Sequence, residues 1–343
     1  MPNDVITRAI DVIASGEDLS QEATGEVLGQ IMGGNASETQ IAAFLIALRT
    51  KGETVDEIAG LAATMRALAE PVRTARADLV DTSGTGGGRP TFNVSTTAAL
   101  IAAGAGCALA KHGNRSATGL SGSADVLEAL GARIDLGPAA VGRCIDEAGF
   151  GFMFAPAHHQ ATRFVIPVRK ELAVRTIFNF LGPLTNPAGA RRQLIGVSDG
   201  RFLPTMAGAL ARLGVDRALL VSSEDGLDEM STSAPTHVVE VNGEEIKRYV
   251  VEPGDAGLPT ADPGAVTGGT PQRNAAVTRA ILAGEPGTHR DLALLNAGAA
   301  IYAGGRAGSI AAGVEAAAEA VDSGAAQRTL EAYIALSREL APR

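Results

Sequence analysis

Tryptophan is missing from this chain of 343 residues, aromatic side chains make up only 3 %, and cysteine occurs twice. A core without large rings has to be filled by Ala, Leu, Val and Ile, and 42 glycines allow helices to approach closely. Cys107 and Cys144 stand in apolar sequence, which suits buried thiols in a reducing compartment and excludes a disulfide framework. No stretch of about eighteen apolar residues free of charge occurs, so a membrane-spanning helix is not expected. The opening MPNDVITRAI lacks the basic and then apolar run of a secretory signal, and a cytoplasmic protein is expected. Positive charge is in deficit too: 29 Lys and Arg against 38 Asp and Glu, a net charge of −9. That balance argues against partners such as DNA, RNA or an anionic membrane. Any phosphorylated ligand would have to be met locally, by amides, basic side chains or a metal ion.

The length suits two domains rather than one small core. The first 70 or so residues read as four short helices. Ser20 caps one, with Glu22 in its first turn, and Ser37 with Gln40 and Thr54 with Glu57 are capping-box patterns. Pro71 ends the block, placing a small helical domain at 1–72, joined by a helical insertion near 160–190. From residue 78 short apolar runs alternate with helices: strands at Asp78–Thr82, Cys107–Ala110, Gln193–Ser198 and Val215–Val221, helices over 95–105, Ser123–Leu130 and 203–213. The alternation predicts an α/β domain over 73–343 with a mostly parallel central sheet. Val238–Val241 and Lys247–Val251, joined through Asn242-Gly243, form a hairpin pattern. Residues 252–272 read as one long loop, and Ala-rich helices follow near 274–283, 291–303 and 309–322.

Four clusters carry chemistry. Gly84-Thr85-Gly86-Gly87-Gly88 follows a strand, and Asn93-Val94-Ser95-Thr96 then opens a helix. Amides of such a loop and a helix N-terminus make a cradle for phosphate, although a tight strand-to-helix turn has the same spelling. Lys111-His112-Gly113-Asn114-Arg115 sits at the end of the next strand, where side chains face the crevice of an open α/β sheet; solvated charges are the plainer reading. Asp225-Gly226-Leu227-Asp228-Glu229 places carboxylates side by side, either a seat for Mg2+ shared with phosphates or a solvated acidic turn. The fourth is Arg169 followed by the segment Arg175–Pro187, where an Arg could read a carboxylate with its planar fork or form a structural ion pair.

In order and spacing, GTGG, TFNVST, KHGNR, GSADVLEALG, FAP..H, VR.EL.VRTIFN.LGPLTNP, DGLDE and LNAGAA resemble the anthranilate phosphoribosyltransferase family through nearly the whole chain. The resemblance implies a fold like that of the nucleoside phosphorylases and phosphoribosyltransferases, a homodimer through the helical domain, and transfer of phosphoribose from phosphoribosyl pyrophosphate (PRPP) to anthranilate. It implies that Gly84, Thr85, Gly86, Gly87 and Gly88 hold the pyrophosphate, and that Thr91, Asn93, Val94, Ser95 and Thr96 bind PRPP. Lys111, His112, Gly113, Asn114, Arg115, Ser116, Ala117, Thr118 and Gly119, with Ser123, complete that site. Ser95, Asp228 and Glu229 would hold Mg2+, two ions in all, and Gly84, His112, Asn114, Arg169 and Gly182 would seat anthranilate.

Three departures surround PRPP. The family has Asp after GTGG where this chain has Gly88-Arg89, one residue short before Thr91; Ser222-Ser223 replace His-Gly; and Thr118-Gly119 stand for two serines. Arg89 is expected either to touch a phosphate oxygen or to point into water. The rivals are a phosphorylase of similar fold, which has no need of the paired carboxylates, a paralogue using another aromatic acid, and a non-catalytic binding protein.

Overall fold

Each of the first four helices begins on a polar cap. The computed structural model describes residues 2–116 and 119–342, beginning with α1 (Asp4–Ala14), α2 (Gln21–Met32), α3 (Glu38–Lys51) and α4 (Val55–Leu68), capped by Asn3, Ser20, Ser37 and Thr54. Only the last cap is a complete capping box. Glu57 there accepts the Thr54 amide at 2.8 Å and the Leu19 amide at 3.0 Å, and pairs with Lys51 at 3.1 Å. Gln40 does not return to Ser37: it bonds the main chain of Asn3, tying α3 to α1.

The α/β part follows: β1 (Leu79–Gly84), α5 (Val94–Gly104), β2 (Ala108–Gly113), α6 (Ser123–Leu130), α7 (Pro138–Ala148) and β3 (Phe150–Phe154). Three short helices, α8 (Ala155–His158), α9 (Ile166–Leu172) and α10 (Phe178–Leu181), lead to β4 (Arg192–Gly196), α11 (Leu203–Arg212) and β5 (Arg217–Ser223). The hairpin β6 (Thr236–Asn242) and β7 (Glu245–Val251) turns through Gly243-Glu244, one residue later than the sequence suggests. Helices α12 (Pro271–Leu282), α13 (Thr288–Ala303), α14 (Ile310–Asp322) and α15 (Ala325–Leu340) end the chain, and the segment before α12 holds two short 3-10 turns rather than one plain loop.

One sheet runs β3-β2-β1-β4-β5-β6-β7, parallel through β5 and antiparallel at the hairpin. The chain moves outward from β1 to β3, then crosses back to lay β4 on the other side of β1. The carboxyl ends of β1 and β4 therefore flank a topological switch point, where open α/β sheets form their ligand crevice. Strand side chains alternate between two cores: Leu219 and Val221 join α5, α7 and α13–α15 on one face, while Ala218 and Leu220 join α11 and the first four helices on the other. The second core also takes in Val165, Val168, Phe178 and Leu181 from α9, α10 and the residue before α9.

Several boundaries differ from the sequence expectation. β1 and β2 run on to Gly84 and Gly113 because pairing with Gly196 and Phe154 carries the ladder past the apolar residues. Likewise β4 and β5 are shifted, to Arg192–Gly196 and Arg217–Ser223. Helices α7 and α15 and strand β3 have no counterpart in the expectation; β3 is an unalternating apolar run, buried on both faces.

Replacing Glu57 with alanine strands the amides of Leu19 and Thr54 and leaves Lys51 only Asp18 and the Gly52 carbonyl, a loss of about 2–4 kcal/mol. Chemical denaturation should show it as a lower midpoint, with Glu57→Gln losing less.

Candidate active site

Gly84 and Gly196 face each other across β1 and β4; the main chain of Asp228 lies directly over Gly196, and its carboxylate lies beside Gly84. A Cβ at Gly196 would land on the Asp228 carbonyl oxygen, and one at Gly88 would strike the Asp228 amide and carboxylate. Only glycine lets the acidic turn sit this deep in the crevice. The loop folds back onto it, and the Gly86 amide faces the Asp228 carboxylate. Thr85 locks the loop base, accepting the Ser198 amide at 3.0 Å and donating its own amide to Gly196 O at 2.8 Å.

Beside this turn the N-terminus of α5 enters the crevice. The Ser95 amide faces the Glu229 carboxyl, and Ser95 Oγ lies 3.3 Å from Lys111 Nζ. Lys111 is 1 % exposed and also donates to the carbonyl and hydroxyl of Thr82. Burial pushes its ammonium down, against the pull of Asp81 and Glu229. Burial, then the neighbouring Asp228, pushes the Glu229 carboxyl up to about 8, against the pull of Lys111 and the Ser95 amide. Asp228 is also raised by burial, with two amides and Arg175 opposing. Asp81, absent from the sequence reading, is fully buried under Lys111; one oxygen accepts the His112 amide at 3.1 Å and the other has no partner, and burial lifts its carboxyl to about 6.

Other expected PRPP contacts have side chains engaged within the protein. Thr91 Oγ1 donates to Val266 O at 2.6 Å, and Asn93 Oδ1 accepts from Ser121 Oγ and Asn274 Nδ2, both at 2.9 Å. Val94 is buried apolar packing, whereas the buried Thr96 hydroxyl has no partner. Arg89 neither touches the pyrophosphate seat nor points into water: it pairs with Asp225 at 2.8 Å and donates to Pro263 O at 2.6 Å. The shortened loop is thereby clamped to the residue that opens the acidic turn.

The segment after β2 wraps around the start of α6. Asp125 accepts the amides of Ser116 at 3.1 Å and Gly122 at 2.8 Å. Arg115 turns away from the crevice to pair with Asp125 and Glu128, so its charge serves this wrap. Asn114 is exposed, its carbonyl accepting from Ser123 Oγ at 3.2 Å, and Gly119 bonds Ser116 Oγ at 2.7 Å. Ser123 also packs against Gly113, where a Cβ would displace it. Ala117 and Thr118 lie outside the described residues.

On the side toward α8–α10, His112 Nδ1 lies 3.3 Å from Gly182 O and its ring centre 5.1 Å from that of His159. The Nε2 atoms of His112, His158 and His159 are all buried without a partner. Burial holds His112 down at about 3 and His159 at about 4, so both rings are neutral at physiological pH. Arg169 stacks 5.5 Å over Phe178, is half-buried, and makes no ion pair among the described residues. Its alternative role as a structural salt bridge is not realised. His158, His159, Asp81 and Ser198 were not singled out as site residues from sequence, and Arg175 only as part of the segment that follows Arg169; FAP..H was the one signal pointing to the histidines.

The histidines make acid stability testable. A ring held below the ordinary 6.5 in the folded state favours unfolding once pH falls below 6.5, and the loss grows until about 4. Between about pH 7.5 and about pH 5, His159→Gln should lose roughly 1–2 kcal/mol less stability than wild type. Equal losses in denaturant titrations would mean that the ring is not held neutral.

Known proteins align with this geometry. The helical bundle domain of a glycosyl transferase family matches residues 7–69, and the a/b domain of a glycosyl transferase family matches residues 76–327. An anthranilate phosphoribosyltransferase of Rubrobacter xylanophilus is 52 % identical over 341 residues, 99 % of each chain. The crystal structure of the anthranilate phosphoribosyltransferase from Thermus thermophilus superposes with a TM-score of 0.92 at 46 % identity, covering 96 % of this chain and 99 % of that one. The Saccharomyces cerevisiae enzyme in complex with PRPP and Mg gives 0.89 at 27 % identity, over 98 % of both chains. With these matches spanning both of its parts, the chain belongs to the anthranilate phosphoribosyltransferase family.

Proposed function

We propose that the chain transfers the phosphoribosyl group of PRPP to the amine of anthranilate, in tryptophan biosynthesis, with Mg2+ as cofactor. The observation that carries this reading is the meeting, at one switch point, of a glycine loop, a helix N-terminus, a buried lysine and an adjacent pair of carboxylates. Asp228 and Glu229 fit a divalent cation: they are raised together, and no residue cation forms an ion pair with either among the described residues. Two carboxylates and the Ser95 hydroxyl suit Mg2+ that takes its remaining ligands from phosphates and water. We extend the reading to two ions held by Ser95, Asp228 and Glu229, to a cytoplasmic enzyme, and to a homodimer through the helical domain of residues 1–72, where Ile46 and Leu68 are exposed.

Breaking the bond between ribose C1 and oxygen builds positive charge on the sugar and negative charge on pyrophosphate. Bound Mg2+ would neutralise the leaving group. Loop amides of Gly86–Gly88 and the first turn of α5 donate to phosphate oxygens, while the Thr85 amide stays on Gly196 O. Lys111 supplies a buried positive charge at the same end of the sheet. Arg169, lacking a protein carboxylate, holds that of anthranilate, while His112, Asn114 and Gly182 line its seat. The aromatic amine is neutral at neutral pH, so it attacks without a general base, and the neutral His112 and His159 add no competing charge. Positioning does most of the work.

Loss of anthranilate fluorescence in the presence of PRPP and Mg2+ tests the reaction, and the same assay with hydroxybenzoates tests the acceptor. No fluorescence loss in the wild type would overturn the reading. Glu229→Ala should abolish turnover, and near-normal activity at millimolar Mg2+ would remove the metal assignment. Arg169→Ala should raise the KM for anthranilate about ten- to a hundredfold, the cost of one charge-assisted contact of about 1.5–3 kcal/mol. Its KM for PRPP should stay near wild type; equal weakening of both substrates would make Arg169 a structural residue.

A further inference from the structure

Arg175 leaves the segment between α9 and α10 and reaches across to the glycine loop, where Nη2 donates to Gly86 O at 3.0 Å. Its guanidinium also covers Gly87 so closely that a Cβ there would collide with Nη1. The two ends of Arg175 are held from different sides. The guanidinium lies 5.7 Å over the Phe180 ring, itself stacked on Phe202 at 4.1 Å, and the Arg175 carbonyl accepts Arg49 Nη1, from α3, at 2.8 Å. Gly86 is thus held at its C=O by Arg175, on the side away from Asp228, which its N–H faces. With Arg89 committed to Asp225, Arg175 is the guanidinium that reaches the tip of this loop among the described residues.

We propose that Arg175 is a positioning residue for the phosphate loop, tying it to the helical layer so that α3 and the glycine loop are set as one unit. The proposal rests on reading that loop as the seat of pyrophosphate. Between its anchors at Thr85 and Arg89, a loop with φ of +66° at Gly86 and +87° at Gly87 has many alternative conformations open to it, and its glycines have no side chains to choose among them. A fork anchored at Phe180 and Arg49 selects one. Losing it leaves the loop amides to be ordered by the substrate, which weakens PRPP and spares anthranilate.

The test uses the full chain as wild type, Arg175→Ala, Arg49→Ala and the double variant. Arg49 is exposed on α3, so its removal leaves the crevice intact. Hydrogen exchange without substrate should quicken in the 84–89 peptide in both single variants. Calorimetric titration of PRPP with Mg2+ should give a Kd raised about tenfold or more by Arg175→Ala and about threefold by Arg49→Ala, the double variant being no weaker than Arg175→Ala alone. The KM for anthranilate should stay within about twofold. Unchanged loop exchange in Arg175→Ala, equal weakening of both substrates, or strictly additive single effects would overturn the proposal. If Arg175→Ala does not fold, exchange and PRPP affinity of Arg49→Ala decide alone. Wild type that binds no PRPP would sink the functional reading instead, while the exchange comparison still judges Arg175.

Discussion

The seating of Asp228 on two glycines governs the rest of the crevice. Because Gly196 and Gly88 carry no side chain, the acidic turn lies against the sheet ends instead of above them. That depth brings Glu229 to the Ser95 amide and Asp228 to the Gly86 amide. It also requires the β1–α5 connection to fold over the turn, which is why a shortened loop still closes: Arg89 fastens it to Asp225, three residues ahead of Asp228. The same loop, glycine-lined and low in side chains, has to borrow its rigidity from Thr85, Ser198 and Arg175.

Electrostatics builds on that geometry. A protein of net charge −9 concentrates positive character in the crevice through a fully buried Lys111, the start of α5 and Arg169, which makes no ion pair among the described residues. Surplus arginines are turned elsewhere, Arg115 to α6 and Arg89 to Asp225. The buried Asp81 below Lys111 keeps a negative charge nearby and holds the end of β2 through the His112 amide.

Much of this was legible in the sequence, for identifiable reasons. Apolar alternation and caps at Ser20, Ser37 and Thr54 are local signals, and they marked most helices and most strands. What escaped needs tertiary pairing. The ladder extending β1 to Gly84 depends on Gly196, more than a hundred residues away along the chain. Strand β3 reads as featureless because both its faces are buried. Site residues carried by recurring motifs, such as Lys111, Asp228 and Glu229, were visible as chemistry. The destination of a flexible arginine was not: Arg89, Arg115 and Arg175 have the same residue type in similar loops and three different partners.

The contact at Gly196 falls on the backbone carbonyl of Asp228, not on its carboxylate. The demand for glycine therefore outlives the acid. A descendant that exchanged Asp228 and Glu229 for inert residues, and lost its chemistry, would still be held to Gly196 by steric necessity. Among distant relatives, the glycine signature reports how the chain is folded, and the two carboxylates report on the metal seat proposed above.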